Sequence, residues 1–546
     1  MSKITLPHSH LLVCLLAAMA SLAQAQTVPD AGALQQQIER ERQQQMPKRI
    51  APDKPAAPPA MKPTTGVVIT VKQFRFAGNT LLSTVQLAPA VASYLNQPLD
   101  FAQLQAAVAA VAETYRAAGW VVNAYLPQQD IKDGIVTIHI IEAVFGALKM
   151  EGTPAKRVSP AQLGSIFAAQ QASGASLNAD ATDRALLIAD DLPGVAVSGS
   201  LAAGAREGET DLIIKSADEP LVIGEVAIDN TGARSTGEGR LTANLNLTSP
   251  LGIGDLLSAN ALYTQGNDYL RLSYTLPVGS DGWRVGANTS SLRYKLITLD
   301  PDKDKGTSSA VGFEASYPMV RSRLTNLYLN LNADHKKFDN EFGGGTSTRY
   351  TTDSTSIALN GNLFDNWGGG GANSGGLTWT NGSRDNEIGT TNHRFDKLRF
   401  SLSRQQVITK DLSFFAQVSG QETSDKLDSS EKFYLGGAYG VRAYPSSEGG
   451  GDSGMLSNLE LRWKLPEGFT LTGFHDYGHV RSNDAAMGYS LKGYGLTLNW
   501  QAPAGVNLKA TWARRIGDNP NPTAAGNDQD GSYVADRLWL ALSFNF

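Results

Sequence analysis

Few residues of this 546-residue chain have the types and the spacing that chemistry requires. His475 and His479 lie four residues apart, but in a segment with the pattern of a strand rather than a helix, so they are a poor metal-ligand pair. His139 alternates within another predicted strand and is better explained as a surface histidine. The glycine clusters at 343–345 and 368–371 are typical of loops, not of phosphate-binding sites. We therefore predict no catalytic residue, no metal ion and no cofactor, and a protein that is not an enzyme.

The charged and polar residues are instead interleaved with apolar ones in a strand pattern. At the carboxyl end, Leu538, Leu540, Leu542, Phe544 and Phe546 alternate with residues that are mostly polar or small. Such alternation gives a strand one apolar face and one face that contacts water. The same pattern recurs in segments 241–248, 326–332, 398–403, 458–465, 496–501 and 506–513. A soluble all-β protein with a dry interior is the alternative, but many such strands and a terminal aromatic residue favour a transmembrane barrel.

The amino terminus indicates export. Lys3 precedes an apolar run over residues 11–20, and Ala23 and Ala25 follow it in the pattern of a signal peptidase site. We predict a signal peptide over residues 1–25, which would remove Cys14, the only cysteine. No internal segment approaches the apolar length of a membrane helix. Export together with barrel strands predicts the outer membrane of a Gram-negative bacterium, and a net charge of −5 gives no reason to expect nucleic acid as a partner.

The chain divides into six predicted regions. After the signal peptide come a polar helix that could plug a water-filled barrel (26–46) and a proline-rich linker (47–66). Residues 67–143 have the order β-α-α-β-β, and residues 144–219 repeat it. Residues 220–546 show only strands and turns, enough for about sixteen strands at about 20 residues each with their loops. The predicted fold class is membrane β: an antiparallel outer-membrane β-barrel of about 16 strands, preceded by two α/β modules and a short N-terminal helix.

Several motifs resemble those of a known family. The segments AGNTLLS (77–83) and AGWVVNAYLPQQDIKDGIVTIHIIEA (118–143) closely resemble the first POTRA domain of two-partner secretion transporters. The motifs LPG (192–194), SPLGIGD (249–255), VRAY (441–444) and FHDYG (474–478) follow in the order and spacing of that family. The resemblance covers nearly the whole chain after the signal peptide. It implies two periplasmic POTRA domains and a pore that secretes a large β-helical exoprotein, an adhesin, cytolysin or contact-dependent toxin, without ATP.

Three other interpretations stay open at this point. A barrel-assembly insertase of the same superfamily usually carries three or more POTRA domains, and this chain has room for two. A porin or sugar channel needs no periplasmic modules. A membrane-anchored surface enzyme is disfavoured because the sequence lacks a catalytic cluster.

The resemblance also implies a gating site. In the family, the arginine of the VRGY motif lies at the tip of a loop that folds into the lumen and contacts the aspartate of an F-x-D-x-G motif on the barrel wall. Carried over, the site residues are Val441, Arg442, Tyr444, Phe474, Asp476 and Gly478. Alternation from Phe469 onward independently places Asp476 on the lumenal face. Ala443 stands where glycine is usual, so the loop would be strained if that position needed a positive φ; an ordinary lumenal ion pair without a gating role is the alternative.

Two further groups of residues are expected to contact partners. An apolar stripe on the second helix of the first module, Leu104, Val108, Val111 and Tyr115, and the adjacent strand edge are candidates for binding the exported chain, although the stripe could equally be the core of the module. The terminal Phe546 is expected to act as an insertion signal for the barrel-assembly machinery during biogenesis. Outer-membrane lipid is the third expected partner.

Overall fold

The computed structural model describes residues 29–45 and 68–546, except 132, 299–303, 344, 389–391, 447, 484–487 and 524. The predicted signal peptide and most of the proline-rich linker lie outside the described residues. The first described element is helix α1 (Ala31–Gln45). Asp30 begins this helix, because its Oδ1 accepts a hydrogen bond from the Ala33 amide at 2.9 Å. Among the described residues, no helix is both long enough and apolar enough to cross a membrane.

The first module contains two helices packed on a three-stranded sheet. Its elements are β1 (Ile69–Thr70), β2 (Gln73–Ala77), α2 (Thr84–Val91), β3 (Pro98–Leu99), α3 (Phe101–Ala117), β4 (Val122–Tyr125) and β5 (Ile135–Glu142). The sheet order is β2-β5-β4, and β1 pairs separately with β3. β1 and β2 are separate strands although they adjoin in sequence, because β1 pairs with β3 and β2 pairs with β5. Asp100 and Gln103 form a capping box at the start of α3.

The second module repeats the first in its order of elements. It contains β6 (Val144–Met150), α4 (Pro160–Gln170), α5 (Ala179–Asp190), β7 (Val195–Ala203) and β8 (Glu209–Asp218), with the sheet order β6-β8-β7. The modules are joined by backbone hydrogen bonds on either side of Leu177, whose amide donates to Ala143 O (2.7 Å) and whose carbonyl accepts from the Val121 amide (3.2 Å). Each module has its own apolar core.

The rest of the chain is a closed antiparallel barrel of sixteen strands, which confirms the predicted fold class. The barrel strands are β9 (Val222–Asp229), β10 (Arg240–Thr248), β11 (Leu256–Tyr263), β12 (Asn267–Val278), β13 (Trp283–Lys295), β14 (Lys305–Arg321), β15 (Thr325–Phe342), β16 (Thr346–Asp365), β17 (Gly371–Ile388), β18 (His393–Val407), β19 (Leu412–Glu422), β22 (Ser453–Lys464), β23 (Phe469–Arg481), β24 (Tyr489–Gln501), β25 (Val506–Arg515) and β26 (Asp536–Asn545). Two short strands, β20 (Phe433–Tyr434) and β21 (Gly450–Gly451), pair with each other in the loop between β19 and β22.

The two faces of the barrel strands have opposite chemistry. Apolar residues of the predicted stripes, such as Leu402, Leu496 and Leu538, are exposed on the outside, whereas the inward Asp476 and Thr511 are buried. A soluble protein would place the apolar face inward, so this arrangement is that of a barrel surrounded by lipid. The barrel closes where β26 pairs with β9.

The carboxyl terminus takes part in this closure. The Phe546 amide donates to Gly224 O at 3.0 Å, and the Gly224 amide donates back to Phe546 O at 2.9 Å. The Phe546 ring is half exposed and stacks on Phe544. The terminal aromatic residue therefore sits on the outer surface, at the junction of the first and last strands.

Candidate gate in the barrel lumen

The segment between β19 and β22, residues 423–452, folds into the barrel and is called the lumenal loop. Its tip is packed against the wall, since Val441 and Ala443 are fully buried and Tyr444 is almost so. These residues share an apolar cluster with Leu435 of the same loop and with Phe474 of β23. The tip is thus held as firmly as the core of a small domain.

Arg442 of the lumenal loop forms a bidentate ion pair with Asp476 of β23. The Arg442 Nη2 lies 2.7 Å from Asp476 Oδ1, and its Nε lies 2.9 Å from Oδ2, which also accepts the Arg442 backbone amide at 3.0 Å. Asn458 donates a further hydrogen bond to Oδ1 at 2.8 Å. Asp476 is fully buried, so its charge depends on these donors.

Three other wall residues complete the Arg442 environment. Its Nη1 donates to Glu460 Oε1 at 2.9 Å, and its guanidinium lies 3.5 Å from the centre of the Phe474 ring. The indole of Trp539 donates to the Arg442 carbonyl at 2.8 Å. A buried cation fixed by two carboxylates and an aromatic face defines one position of the loop, because moving Arg442 would leave buried Asp476 without its cation, although Glu460 would keep Arg462.

Helix α1 lies inside the barrel against a different part of the wall. Ala31, Leu34 and Ile38 pack in one apolar cluster with wall residues that include Leu292 and Phe338. The remaining contacts are polar. Hydrogen bonds on this side run from Ala31 N to Asn340 Oδ1 (3.0 Å), from Gln35 Nε2 to Ser290 Oγ (3.5 Å), from Ser308 Oγ to Gln35 Oε1 (2.6 Å) and from Tyr269 OH to Glu39 Oε1 (2.5 Å).

Helix α1 and the lumenal loop also contact each other. Ser429 of the loop donates to the Asp30 carboxylate at 2.7 Å, and Arg40 of the helix donates to the carbonyl of Tyr434. A Cβ added at Gly32 would lie 2.7 Å from Ser429 Oγ, so only glycine permits this close approach. The two segments are therefore one packed unit inside the lumen.

The structure brings the predicted gating residues together. Val441, Arg442, Tyr444, Phe474 and Asp476 are all buried at the same contact between loop and wall. Gly478 belongs to it as well, because a Cβ there would lie 2.6 Å from Leu435 Cδ2. Sequence reasoning missed Glu460, Asn458, Trp539 and Leu435, although the first two were visible as polar residues on the lumenal face of a predicted strand.

Ala443 does not strain the loop. Among the described residues, the non-glycine positions with positive φ are Asn96, Asp133, Ser249, Glu467 and Ala504, so Ala443 adopts an ordinary backbone conformation. Its methyl group faces Gly493 of β24, where an added Cβ would lie 2.7 Å away. The wall glycine accommodates the alanine of this chain.

The candidate stripe for partner binding lies in the interior of the first module. Leu104, Val108, Val111 and Tyr115 are buried in its core, whereas Phe101, which begins the same helix, is about half exposed. An incoming chain could not touch the four buried side chains without opening the module. Of the predicted binding surface, a partner could reach the neighbouring exposed groups and the sheet edge.

Comparison with known proteins decides the identity. Residues 208–500 match the family described as haemolysin secretion/activation protein ShlB/FhaC/HecB, more than half of the chain, and residues 69–143 match the POTRA domain of ShlB type. The chain belongs to this family. It is a two-partner secretion transporter of the outer membrane with periplasmic POTRA domains, and its task is the secretion of a partner exoprotein.

Individual relatives are distant in sequence but match over most of their length. The heme/hemopexin transporter protein HuxB of Haemophilus influenzae (strain 86-028NP) is 25% identical over 505 residues, covering 85% of this chain and 86% of HuxB. The structure of CdiB from Escherichia coli superimposes with a TM-score of 0.71 at 21% identity, covering 96% of this chain and 100% of CdiB. BamA from Haemophilus ducreyi, lacking POTRA domains 1–3, gives 0.54 at 14% identity, with 88% and 100% coverage. The insertase interpretation is therefore the weaker one.

Proposed function

We propose that the transporter passes a large β-helical exoprotein through its lumen as an extended chain, and that α1 and the lumenal loop together close the lumen at rest. The observation that carries this proposal is that both segments lie inside the barrel and bind each other as well as the wall. Folding of the exoprotein outside the cell supplies the driving force. The proposal includes no catalytic step, cofactor or nucleic acid.

Helix α1 has the properties of a removable plug. It offers only small and medium apolar residues to the wall, and most of its other contacts are hydrogen bonds and ion pairs that water could replace. Apolar burial contributes about 25 cal/mol per Å², so the three packed apolar residues of α1 contribute less to its docking than the apolar face of a core helix would. Export can therefore displace it without unfolding the barrel.

Removal of α1 tests the plug directly. Deleting residues 31–45 should raise ion conductance in planar bilayers while leaving secretion of the partner largely intact. A matched control replaces the same residues by a Gly-Ser segment of equal length, which keeps the linker but removes the contacts. Unchanged conductance in both variants would refute the plug, provided that the barrel still shows the heat-dependent gel mobility of a folded barrel.

We further propose that the exported chain first binds the sheet edge of the first POTRA domain. Strand β4 is an edge strand beside α3, and its Tyr125 is partly exposed. An added strand would gain backbone hydrogen bonds without strict sequence requirements. A photocrosslinker at Tyr125 should capture the co-expressed partner exoprotein, whereas one at Val85, which is more exposed on α2, should not.

Phe546 is proposed to serve the barrel-assembly machinery during biogenesis. Its exposed ring and its place at the closing strand pair make it accessible until the barrel closes. Phe546→Ala should lower the amount of folded protein in the outer membrane, whereas Phe546→Tyr should not. Equal amounts of all three proteins would contradict this role.

A further inference from the structure

The barrel wall carries cations whose ion-pair partners belong to the removable segments. Arg240 of β10 donates to Glu41 of α1 at 2.5 Å, and Arg271 of β12 donates to Glu39 of α1 at 3.2 Å. Both arginine side chains are almost completely buried. Carboxylates of α1 thus neutralise one arginine on each of two wall strands.

Carboxylates of the lumenal loop neutralise cations on three more strands of the wall. Arg384 of β17 pairs with Asp428 at 3.1 Å, and Lys336 of β15 pairs with Glu431 at 2.8 Å. Lys397 of β18 pairs with the same Glu431. Glu431 and Lys397 are each less than a tenth exposed, so this pairing is formed out of contact with bulk water.

The wall itself supplies fewer carboxylates in this region. Asp229 shares Arg240 with Glu41, lying 2.8 Å from its Nε, and Asp334 interacts with both Lys336 and Arg271. Among the described residues, these five cations outnumber the wall carboxylates that pair with them, so positive charge is in excess once α1 and the loop have moved. The pair of Arg442 with Asp476 has the opposite polarity, but it lies at another part of the wall, on β23.

We infer that Arg240, Arg271, Lys336, Arg384 and Lys397 form a basic track that binds carboxylate side chains of the chain in transit. This inference rests on the proposed function, since the track is exposed only when the plug leaves. The substrate class that it favours is an extended polypeptide segment rich in Asp and Glu, whose carboxylates replace Glu39, Glu41, Asp428 and Glu431 in turn.

The track favours acidic segments because leaving these cations without counter-charges costs free energy. Removing one partner of a buried ion pair is strongly destabilising, because the remaining charge is poorly solvated. Water entering the vacated lumen lowers this cost, but the narrow, low-dielectric wall focuses the remaining positive potential on whatever passes. Anions and acidic segments are therefore concentrated in the open pore, and basic segments are disfavoured.

Ion selectivity, measured on the full-length transporter, tests the basic track. Reversal potentials across a KCl gradient are measured on open events of the full-length transporter and of the variant lacking residues 31–45. We expect a chloride-to-potassium permeability ratio above one in both proteins. The double substitution Lys336→Gln with Lys397→Gln should lower the ratio toward one. Lys337→Gln should not change it, because Lys337 is adjacent in sequence but faces outward and is half exposed.

Peptide block gives a second readout. A 20-residue Glu/Gly/Ser peptide should interrupt the current several-fold more often than a Lys/Gly/Ser peptide of equal length, and the difference should shrink at high salt. Cation selectivity, or equal block by the two peptides, would overturn the inference. If α1 is not a plug, the deletion variant will show unchanged conductance. That result is separate from the test of the basic track, because selectivity and block are measured on open events of either protein.

Discussion

Leu435 of the lumenal loop occupies the space in front of Gly478 on β23. A Cβ at Gly478 would lie 2.6 Å from Leu435 Cδ2, and Leu435 is fully buried. We predict that Gly478→Ala pushes the loop away from the wall, so the closed pore should open more often in planar bilayers. Overpacking of this kind typically costs about 1–3 kcal/mol, which is a shift of about 5-fold to 150-fold in the closed-to-open ratio.

Gly473 on the same strand provides the control for this prediction. A Cβ there would meet Leu496 Cδ2 at 3.8 Å, an ordinary contact. Gly473→Ala should therefore leave channel activity unchanged. If Gly478→Ala behaves in the same way, the loop does not need the close approach of Leu435.

The ion pair between Arg442 and Asp476 predicts a graded series of variants. Arg442→Ala leaves buried Asp476 without its main donor, which typically costs about 3–5 kcal/mol, so loop docking should be lost. Arg442→Lys keeps the charge but cannot reproduce the bidentate geometry, and it should give an intermediate effect. Channel opening should rise in the order wild type, Lys, Ala, and export of the partner should fall in that order.

Arg514 serves as the control for this series. It pairs with Asp536 at 3.7 Å with both side chains about half exposed, and such pairs contribute little. Arg514→Ala should match the wild type in opening and in export. Wild-type export by both Arg442→Ala and Asp476→Ala would remove the pair from the mechanism.

Much of this site is predictable from sequence because alternation along a strand is a strict rule. Counting from Phe469 places Asp476 on the lumenal face, and the structure has it there, fully buried. The number of about sixteen strands follows from the length of this region at about 20 residues for each strand with its loop. These features depend only on local pattern and on chain length.

The contacts of α1 and of the loop could not be predicted in the same way. Leu435 belongs to no motif, and its contact with Gly478 depends on how a 30-residue loop folds back. The pairing of Glu41 with Arg240 joins residues 199 positions apart. The apolar stripe of α3 was ambiguous because a buried helix face and a binding face have the same period, and the structure places it in the core.

Glu448 predicts a pH dependence of loop docking. This loop residue is fully buried, it accepts the Gln529 amide at 2.8 Å, and its Oε1 has no hydrogen-bond partner among the described residues. Burial raises the pKa of Glu448 to about 7 from its usual 4.5, and the neighbouring Asp528 and Asp530 carboxylates act in the same direction. A carboxyl with a raised pKa stabilises the docked loop below pH 4.5, and this contribution is lost as pH rises through about 7.

Channel opening should therefore increase between pH 5 and 8, and recordings at constant ionic strength would measure it. Glu448→Gln mimics the neutral acid, so it should hold opening at its low-pH level throughout this range. If wild-type channel opening does not change with pH, or if Glu448→Gln keeps the pH dependence of the wild type, loop docking does not depend on the titration of Glu448.

We predict that the attachment of the second module to the barrel depends on a buried ion pair more than on an exposed one. Arg321, at the end of β14, binds Asp191 through two hydrogen bonds of 2.7 and 3.0 Å and is almost fully buried. Arg323, two residues further, binds Asp183 of α5 at 2.9 Å, but both side chains are about half exposed. Arg321→Ala should broaden the distance distribution between spin labels on the second module and on the barrel, because it removes two charge-assisted hydrogen bonds from a mostly buried contact between them. Arg323→Ala should leave the distribution narrow, since exposed pairs contribute about 0–1 kcal/mol. Equal broadening in the two variants would mean that the domain is held by the sum of many weak contacts instead.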